Sequence, residues 1–586
     1  MLLLPGMAAA AVLSAVQLIC MQESVTPMGR LFLILRNVLL VTLVTLVIFH
    51  YGFRRHFLMP GSTTAGSVAL MGGIAVVVGV ALYVCGLAAE RLYTHGSAMQ
   101  VHWPIRLAMC ALVFAGVLCI TMTVWGKQEF GDLPIDQALV TFLSPTTGSG
   151  QSDFISAYEG PVSLSLLCAV GFWMLTRFPV RCGLCWVLAA SIFCGGIGYG
   201  VHRFHLLDLR KALFQESDLI EETYVDPRSA HIQFPEKKRN LIHIYLESME
   251  NSYMGRENGG FMEEDLIPEL TKLAGEGVHF SHSAQGFGGP ESAVGTTWSV
   301  ASMVNMSTGL PMKLPANRND YRHADRFLPG ACALGDLLHQ EGYEQTLMFG
   351  ADADFGGLST YFKTHGDFKI MDYQYARKHG MIPKDYFVWW GFEDDKLYEF
   401  AKEELTRLSQ TGKPFHFVME NADTHRPDGY LSPKAPAPYP SPYANVVAYS
   451  SAQVADFIRW IQKQPFYENT TVVVTGDHLS MESNFFKYYG FPEGYRRSQY
   501  HVILNPAPGV VGRDEKVFHN RSYGNFDLFP TILTSLDARY DGSRLGIGTD
   551  LFSGEKTIFE EIGFEEADRE LAKKSPFYNK KIFQHE

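Results

Sequence analysis

Residues 471–479 read TVVVTGDHL. A threonine and three valines run into Thr475-Gly476, a continuous β-branched stretch ended by a turn residue, as expected of a strand buried on both faces. Its carboxyl end delivers Asp477 and His478 side by side. In open α/β sheets ligands bind outside the carboxyl ends of strands. A carboxylate beside an imidazole at that edge is half of a metal site. The dipeptide alone has a plainer explanation, with Asp477 capping the next segment and His478 a satisfied surface histidine. Matching pieces elsewhere decide between the two.

Around this stretch the chain from about residue 236 alternates strand and helix patterns. Asn240–Leu246 (NLIHIYL), Gln345–Phe349 and Phe415–Met419 read as strands. Glu264–Ala274, Thr297–Met306, Val447–Gln462 and Phe526–Leu536 read as helices. Strands alternating with helices imply an α/β domain with a central, largely parallel sheet. The Pro-rich piece Ser432–Tyr443 reads as a surface loop over the site.

The residues able to carry chemistry lie at strand ends or helix starts. Glu247 follows the first strand, His425 the Phe415 strand, and Asp477 and His478 the Thr471 strand. Thr296 precedes a helix, where backbone N–H groups favour an anion. Glu, Asp, His and a hydroxyl form a mixed O/N set suited to Mn²⁺, Mg²⁺ or Zn²⁺. A metal beside a Thr hydroxyl would lower its pKa and offset charge on a phosphoryl group. Singly, Glu247 and Thr296 also read as helix caps and His425 as a loop histidine; their shared position at one sheet edge favours the site.

The chain has 586 residues and a net charge of −12. Its length calls for two or more domains. The acidic balance, without a Lys/Arg-rich run, excludes a general nucleic-acid role. Apolar residues concentrate in the first 200 positions, in six runs long enough for the roughly 20 residues that span a bilayer: Leu2–Cys20, Leu31–Phe49, Val68–Ala89, Ile105–Val124, Val162–Leu175 with its flanks, and Cys182–Val201. The first, without a basic n-region, counts as a span rather than a signal anchor. Arg177 and Arg181 place the loop between the last two spans in the cytoplasm, so the following chain lies outside; Arg54 and Arg55 run against this rule. The expected organisation is a transmembrane domain over 1–205, a juxtamembrane connector over 206–235 and an extracytoplasmic domain over 236–586. Of nine cysteines only Cys332 lies in the soluble part, which therefore has no internal disulfide. Cys182 and Cys185 have zinc-knuckle spacing but no second pair, and read as packing within a membrane helix.

Four motifs in this order resemble the alkaline-phosphatase/sulfatase superfamily, in its membrane-anchored phosphoglycerol transferase branch. They are IYLESME (244–250), GTTWSVASMVNMSTGLP (295–311), DTHRPDGY (423–430) and VVTGDHLSM (473–481). DLFPTIL (527–533) and RLGIGTDLFSG (544–554) resemble the closing segment of such domains, and PIDQALVTFLSPTTGSG (134–150) a segment ahead of it. The branch includes lipoteichoic acid synthases and, more similar here, the phosphoglycerol transferases of periplasmic glucan biosynthesis. The resemblance implies a bacterial inner-membrane enzyme with an alkaline-phosphatase/sulfatase-like α/β domain. Thr296 would be the nucleophile, with Thr297 taking the role if the register shifts by one. Glu247, Thr296, Asp477 and His478 would hold one divalent metal, Mn²⁺ first and Mg²⁺ or Zn²⁺ as alternatives. His425 would contact phosphate or glycerol, or assist proton transfer. The partners implied are phosphatidylglycerol as donor and a periplasmic or surface glycan as acceptor, with phosphoethanolamine transfer, or glycerol phosphate polymerisation like that of lipoteichoic acid synthases, as the alternative chemistry. A membrane-bound sensor or scaffold is the non-enzymatic alternative, disfavoured by the complete set of ligand types. The chain departs from lipoteichoic acid synthases at 350–366, where Ala351, Gly356 and Leu358 replace an Asp, a Trp and an Arg; Asp352, Asp354 and Arg426 are candidates to replace those contacts. No C/S-x-P-S-R turn for a sulfatase nucleophile is present.

Overall fold

The computed structural model of the chain describes residues 27–52, 73–74, 77, 102–130, 151–176, 182–204, 214–313, 326–510 and 517–583. They fall into two compact units, one of helices up to residue 204 and one from 214 onward.

The first unit contains α1 (Pro27–Val47), α2 (Trp103–Phe130), α3 (Gln151–Leu175) and α4 (Cys182–Arg203). Among the described residues two helices are long and apolar enough to cross a membrane, Trp103–Lys127 within α2 and Cys182–Arg203. They match the fourth and sixth expected spans. The second and fifth fall in α1 and α3, within which Leu35–Val47 and Glu159–Leu175 are apolar; two of the expected spans are thus shown among the described residues. The expected first span, nearly all of the third, the loop arginines Arg54, Arg55, Arg177 and Arg181, and segment 134–150 lie outside the described residues. α2 and α4 pack backbone to backbone: a Cβ on Gly196 would meet the Gly116 carbonyl oxygen at 2.2 Å, the close approach small residues allow between apolar helices. Cys185 packs there with Met109, Val113 and Phe172.

The second unit is built on six strands: β1 (Asn240–Leu246), β2 (Glu344–Phe349), β3 (Lys369–Met371), β4 (Phe415–Glu420), β5 (Thr470–Gly476) and β6 (His501–Leu504). Their order is β3-β2-β4-β1-β5-β6. Pairings are parallel except for β5 with β6. β1, β4 and β5 are buried along their whole length because both faces are covered. Leu241, Val418 and Val473 point into one apolar layer, with Ile242, Phe417, Val472 and Val474 in the other. That two-sided burial explains why β5 reads as an unbroken apolar run rather than an alternation.

The covering helices are α5 (Pro268–Glu276), α6 (Ser299–Thr308), α7 (Asp394–Ser409), α8 (Pro442–Gln462) and α9 (Leu528–Ser535). α6 and α9 supply the first layer, and α5, α7 and α8 the second. The helix expected from Val447 begins five residues earlier, where Pro442 occupies its first turn, a position that needs no N–H. β3 and β6, of three and four residues, are too short to carry a readable period. The described part of the expected connector belongs to this unit. Val225 bridges Gly546 and Gln233 bridges Arg539, and Ile220 and Ala230 are buried in its core.

The core also encloses neutral histidines. His501 Nε2 accepts the Phe280 N–H at 2.9 Å, which requires an unprotonated ring nitrogen. Burial pushes both His501 and His416 down to about 3. Their unfolded values lie near 6.5, so the unfolded chain binds more protons between those limits and stability falls as pH drops below about 6.5. Each histidine contributes a slope of about 1.4 kcal/mol per pH unit. We expect the unfolding temperature of the second unit, followed by calorimetry, to fall between pH 7.5 and pH 5. His501→Gln, which keeps an acceptor for Phe280, should lose part of that slope; an unchanged slope would remove His501 from the account.

Candidate functional site

Parallel pairing places the ends of β1, β4 and β5 side by side, with Leu246 opposite Gly476 and Tyr245 opposite Glu420. The residues just beyond the ladder therefore meet: Glu247, Asn421 and Asp477. Asn421 Oδ1 accepts the Glu247 N–H at 2.9 Å, and Asp477 N–H donates to the Leu246 carbonyl at 3.1 Å. Gly476 is required by this approach, since a Cβ there would lie 1.9 Å from the Met249 carbonyl oxygen. Ser248 adopts a left-handed conformation, φ 56°, a local strain of the kind that clusters at functional sites. The turn directs its N–H to Asp477 Oδ1 at 2.7 Å.

Glu247, Asp477 and His478 come together as a buried cluster with one ligand atom from each within 4.8 Å of the others. His478 Nδ1–H donates to the Leu479 carbonyl at 2.9 Å, which leaves the Nε2 lone pair facing the carboxylates. Nε2 lies 3.2 Å from Asp477 Oδ2 and 3.6 Å from Glu247 Oε1. Asp477 Oδ1 accepts two backbone N–H groups, whereas Oδ2 is buried without a hydrogen bond. An orphaned carboxylate oxygen costs free energy unless a partner fills the space. A backbone-oriented imidazole is the usual second contact of a metal-ligating histidine. Burial opposes protonation of His478, but Asp477 and Glu247 outweigh it and raise its pKa; with Nε2 unprotonated, the two carboxylates and the imidazole fit a small divalent cation.

The electrostatics agree. Burial and the neighbouring Glu247 push Asp477 up to about 7, against the pull of His478. Burial also works to raise Glu247, but His478, His425 and the hydroxyls of Ser248 and Ser299 outweigh it and hold it below the usual range. At the end of β4, burial together with Asp477 and Glu247 raises Glu420 well above an ordinary carboxyl. A desolvated pocket this rich in carboxylates is poised for positive charge.

Thr296 and His425 stand apart from the trio. His425 Nδ1–H donates to the Arg426 carbonyl at 2.7 Å, and burial lowers its pKa, opposed by Glu247. The Thr296 hydroxyl is fully buried and donates to the Ala293 carbonyl at 2.8 Å, so it is not turned into the cluster. Its backbone is tied to the site through Ser302, whose hydroxyl lies 3.0 Å from the Thr296 carbonyl and also reaches the Asp477 carbonyl. The hydroxyls that meet the carboxylates here are Ser248, 2.6 Å from Glu247 Oε1, and Ser299, 3.2 Å from Glu247 Oε2. Sequence reasoning missed Ser299 and Glu420, although each stands within or beside a motif. It also missed Trp390, whose ring packs edge-on against His425 with centroids 4.7 Å apart. Phe355, from the loop after β2, packs on Trp390. In that loop Asp352 accepts from Gln374 at 2.9 Å and Asp354 from Ser359 at 2.5 Å.

The repulsion between Glu247 and Asp477 gives a signed expectation. The Asp477 pKa is raised above its unfolded value of about 3.9, so metal-free stability contributed by this group is lost as pH rises through about 4 to 7. At pH 8, Asp477→Asn should raise the unfolding temperature of chelator-treated protein while abolishing the further rise that added Mn²⁺ gives the wild type. A metal-induced rise that survives the substitution would exclude Asp477 as a ligand.

Comparison with known proteins places this chain in a family. The family described as Sulfatase matches residues 239–538. Phosphoglycerol transferase I of Citrobacter koseri is 28% identical over 436 residues, covering 72% of this chain and 54% of that protein. Phosphoglycerol transferase I of Escherichia coli O127:H6 is 29% identical over 437 residues, with the same coverage of 72% and 54%. The chain thus spans about half the length of the curated relatives it matches. A solved protein of the alkaline phosphatase superfamily from Vibrio parahaemolyticus is 23% identical, with a TM-score of 0.42 over 58% of this chain and 78% of that one. The family match takes in half of the chain and all five residues singled out from the sequence, Glu247, Thr296, His425, Asp477 and His478: the chain belongs to the sulfatase family.

Proposed function

We propose that the chain is a membrane-anchored phosphoglycerol transferase. It takes phosphoglycerol from phosphatidylglycerol, carries it on Thr296 and passes it to a hydroxyl of a periplasmic or cell-surface glycan. The observation that carries this reading is the buried Glu247–Asp477–His478 cluster with the hydroxyl-rich amino end of α6 tied against it. The name shared by the Citrobacter and Escherichia relatives supports the group transferred. The apolar helices α2 and α4 support attachment to the bacterial inner membrane, at whose surface a phospholipid phosphate lies. The second unit would face the periplasm.

Glu247, Asp477 and His478 would hold one divalent cation, with Mn²⁺ the first to test, and that cation would offset phosphate charge and acidify a nearby hydroxyl. Rotation of the Thr296 side chain releases it from Ala293 and makes its oxygen the nucleophile. In the first half-reaction that oxygen bonds to phosphorus and the bond to the diacylglycerol oxygen breaks. The Thr296 proton passes to the departing oxygen through His425 Nε2, the nitrogen left open by the Nδ1 bond to Arg426. In the second half-reaction an acceptor hydroxyl bonds to phosphorus, the bond to Thr296 breaks, and the acceptor proton returns to Thr296. Trp390 fixes the His425 ring and shields it from water.

The test is intact mass of detergent-purified protein incubated with Mn²⁺ and phosphatidylglycerol, beside phosphatidylethanolamine. A phosphoglycerol adduct on Thr296 from the first lipid alone is the expected result, absent in Thr296→Ala and retained in Thr297→Ala. An ethanolamine-phosphate adduct would reassign the donor. Donor turnover by Thr296→Ala would refute the covalent mechanism.

A further inference from the structure

Two sequence motifs run past their metal-site residues, IYLESME to Glu250 and VVTGDHLSM through Ser480 to Met481, and neither Glu250 nor Ser480 enters the chemistry above. The structure joins them. Glu250 is fully buried, yet both oxygens are engaged. Oε1 accepts the Ser480 N–H at 2.9 Å and Arg497 Nη2 at 2.5 Å. Oε2 accepts the Ser252 hydroxyl at 2.5 Å and Arg497 Nε at 2.9 Å. Arg497 Nη2 also donates to the Ser480 carbonyl at 2.7 Å, and its guanidinium lies 4.2 Å from the centre of the Phe486 ring. Beside this pair, Asn251 donates to Ser498 and Gln499. Three segments at the sheet edge, 247–252 after β1, 477–482 after β5 and 496–499 ahead of β6, are thereby tied at one point.

The need for such a tie follows from the site. Beyond Leu246 and Gly476 the strand ladder ends, and the loops that follow carry two buried carboxylates that repel each other. Past that point the Ser248 N–H bond to Asp477 Oδ1 and the Tyr500 N–H bond to the Met249 carbonyl join neighbouring loops singly, and neither holds the far end of the Asp477–Ser480 loop. A bidentate guanidinium–carboxylate pair with fixed geometry does, and Glu250 grips the second loop two residues after His478. We infer that Glu250 and Arg497 are positioning residues that hold the Asp477–Ser480 loop against the Glu247 loop and so set the affinity of the cluster for its cation. The inference rests on reading Glu247, Asp477 and His478 as a metal site.

The test measures Mn²⁺ affinity by calorimetry on chelator-stripped full-length protein, with the metal-free unfolding temperature read in parallel. Glu250→Gln and Arg497→Met should weaken Mn²⁺ binding about 10–100-fold, the range for residues that orient ligands. Arg497→Lys keeps the charge, loses the fork and should fall between them and wild type, which covers the case in which a harsher variant fails to fold. Glu404→Gln is the control. Glu404 is an equally buried carboxylate paired with Arg407 and Lys369, and this variant should lose thermal stability while binding Mn²⁺ like wild type. Wild-type affinity in Glu250→Gln, or an equal loss in Glu404→Gln, would overturn the inference while leaving the metal site standing. A wild-type protein that binds none of Mn²⁺, Mg²⁺ and Zn²⁺ would overturn both.

Discussion

Two buried carboxylates, Glu247 and Asp477, are held close enough to share one small cation. Everything around them is arranged to keep them there against their repulsion. Backbone N–H groups of Ser248 and His478 satisfy one oxygen of Asp477, and hydroxyls of Ser248 and Ser299 satisfy Glu247. The parallel register of β1 and β5 brings their starting points together, and Gly476 permits the closest passage of the Met249 backbone. The cost of desolvating these charges is of the order of several kcal/mol per ion when uncompensated, so the site is stable only as a set of partners.

The rest of the second unit explains why that set is rigid. β1, β4 and β5 have apolar layers on both faces, so their carboxyl ends cannot slip without moving two cores. Among the buried polar groups, His501 is held under Phe280 by its backbone N–H. On the first-layer face, α6 carries Ser299 to the Glu247 carboxylate and Ser302 to the Asp477 backbone carbonyl from its first turns. The site is therefore assembled from the ends of three strands and one helix, which is where an α/β sheet leaves backbone groups free to bind ligands.

Much of this was legible in the residues. The β1 boundaries follow directly from NLIHIYL, and β5 from TVVVTG, because burial on both faces writes an uninterrupted apolar run. The meeting of Glu247, Asp477 and His478 was legible because strand ends in this fold class share an edge. In the membrane half the fourth and sixth expected spans coincide with α2 and α4. Hydropathy finds apolar runs, but the continuous apolar helix that could span a bilayer is borne by α2 and α4 among the described residues.

What the sequence by itself determined is the α/β class, the central strands and the types of residue gathered at their ends, since these depend on local period and on a general rule of sheet topology. What only the tertiary structure decided is which atoms meet. The turn of the Thr296 hydroxyl toward Ala293, the reach of Ser299 to Glu247 and the packing of Trp390 on His425 depend on helix and loop orientations that no local pattern encodes. The Glu250–Arg497 pair is the clearest case. Its partners lie 247 positions apart, and their meeting is a consequence of strand order, in which β5 stands between β1 and β6 and returns the chain beside the first loop.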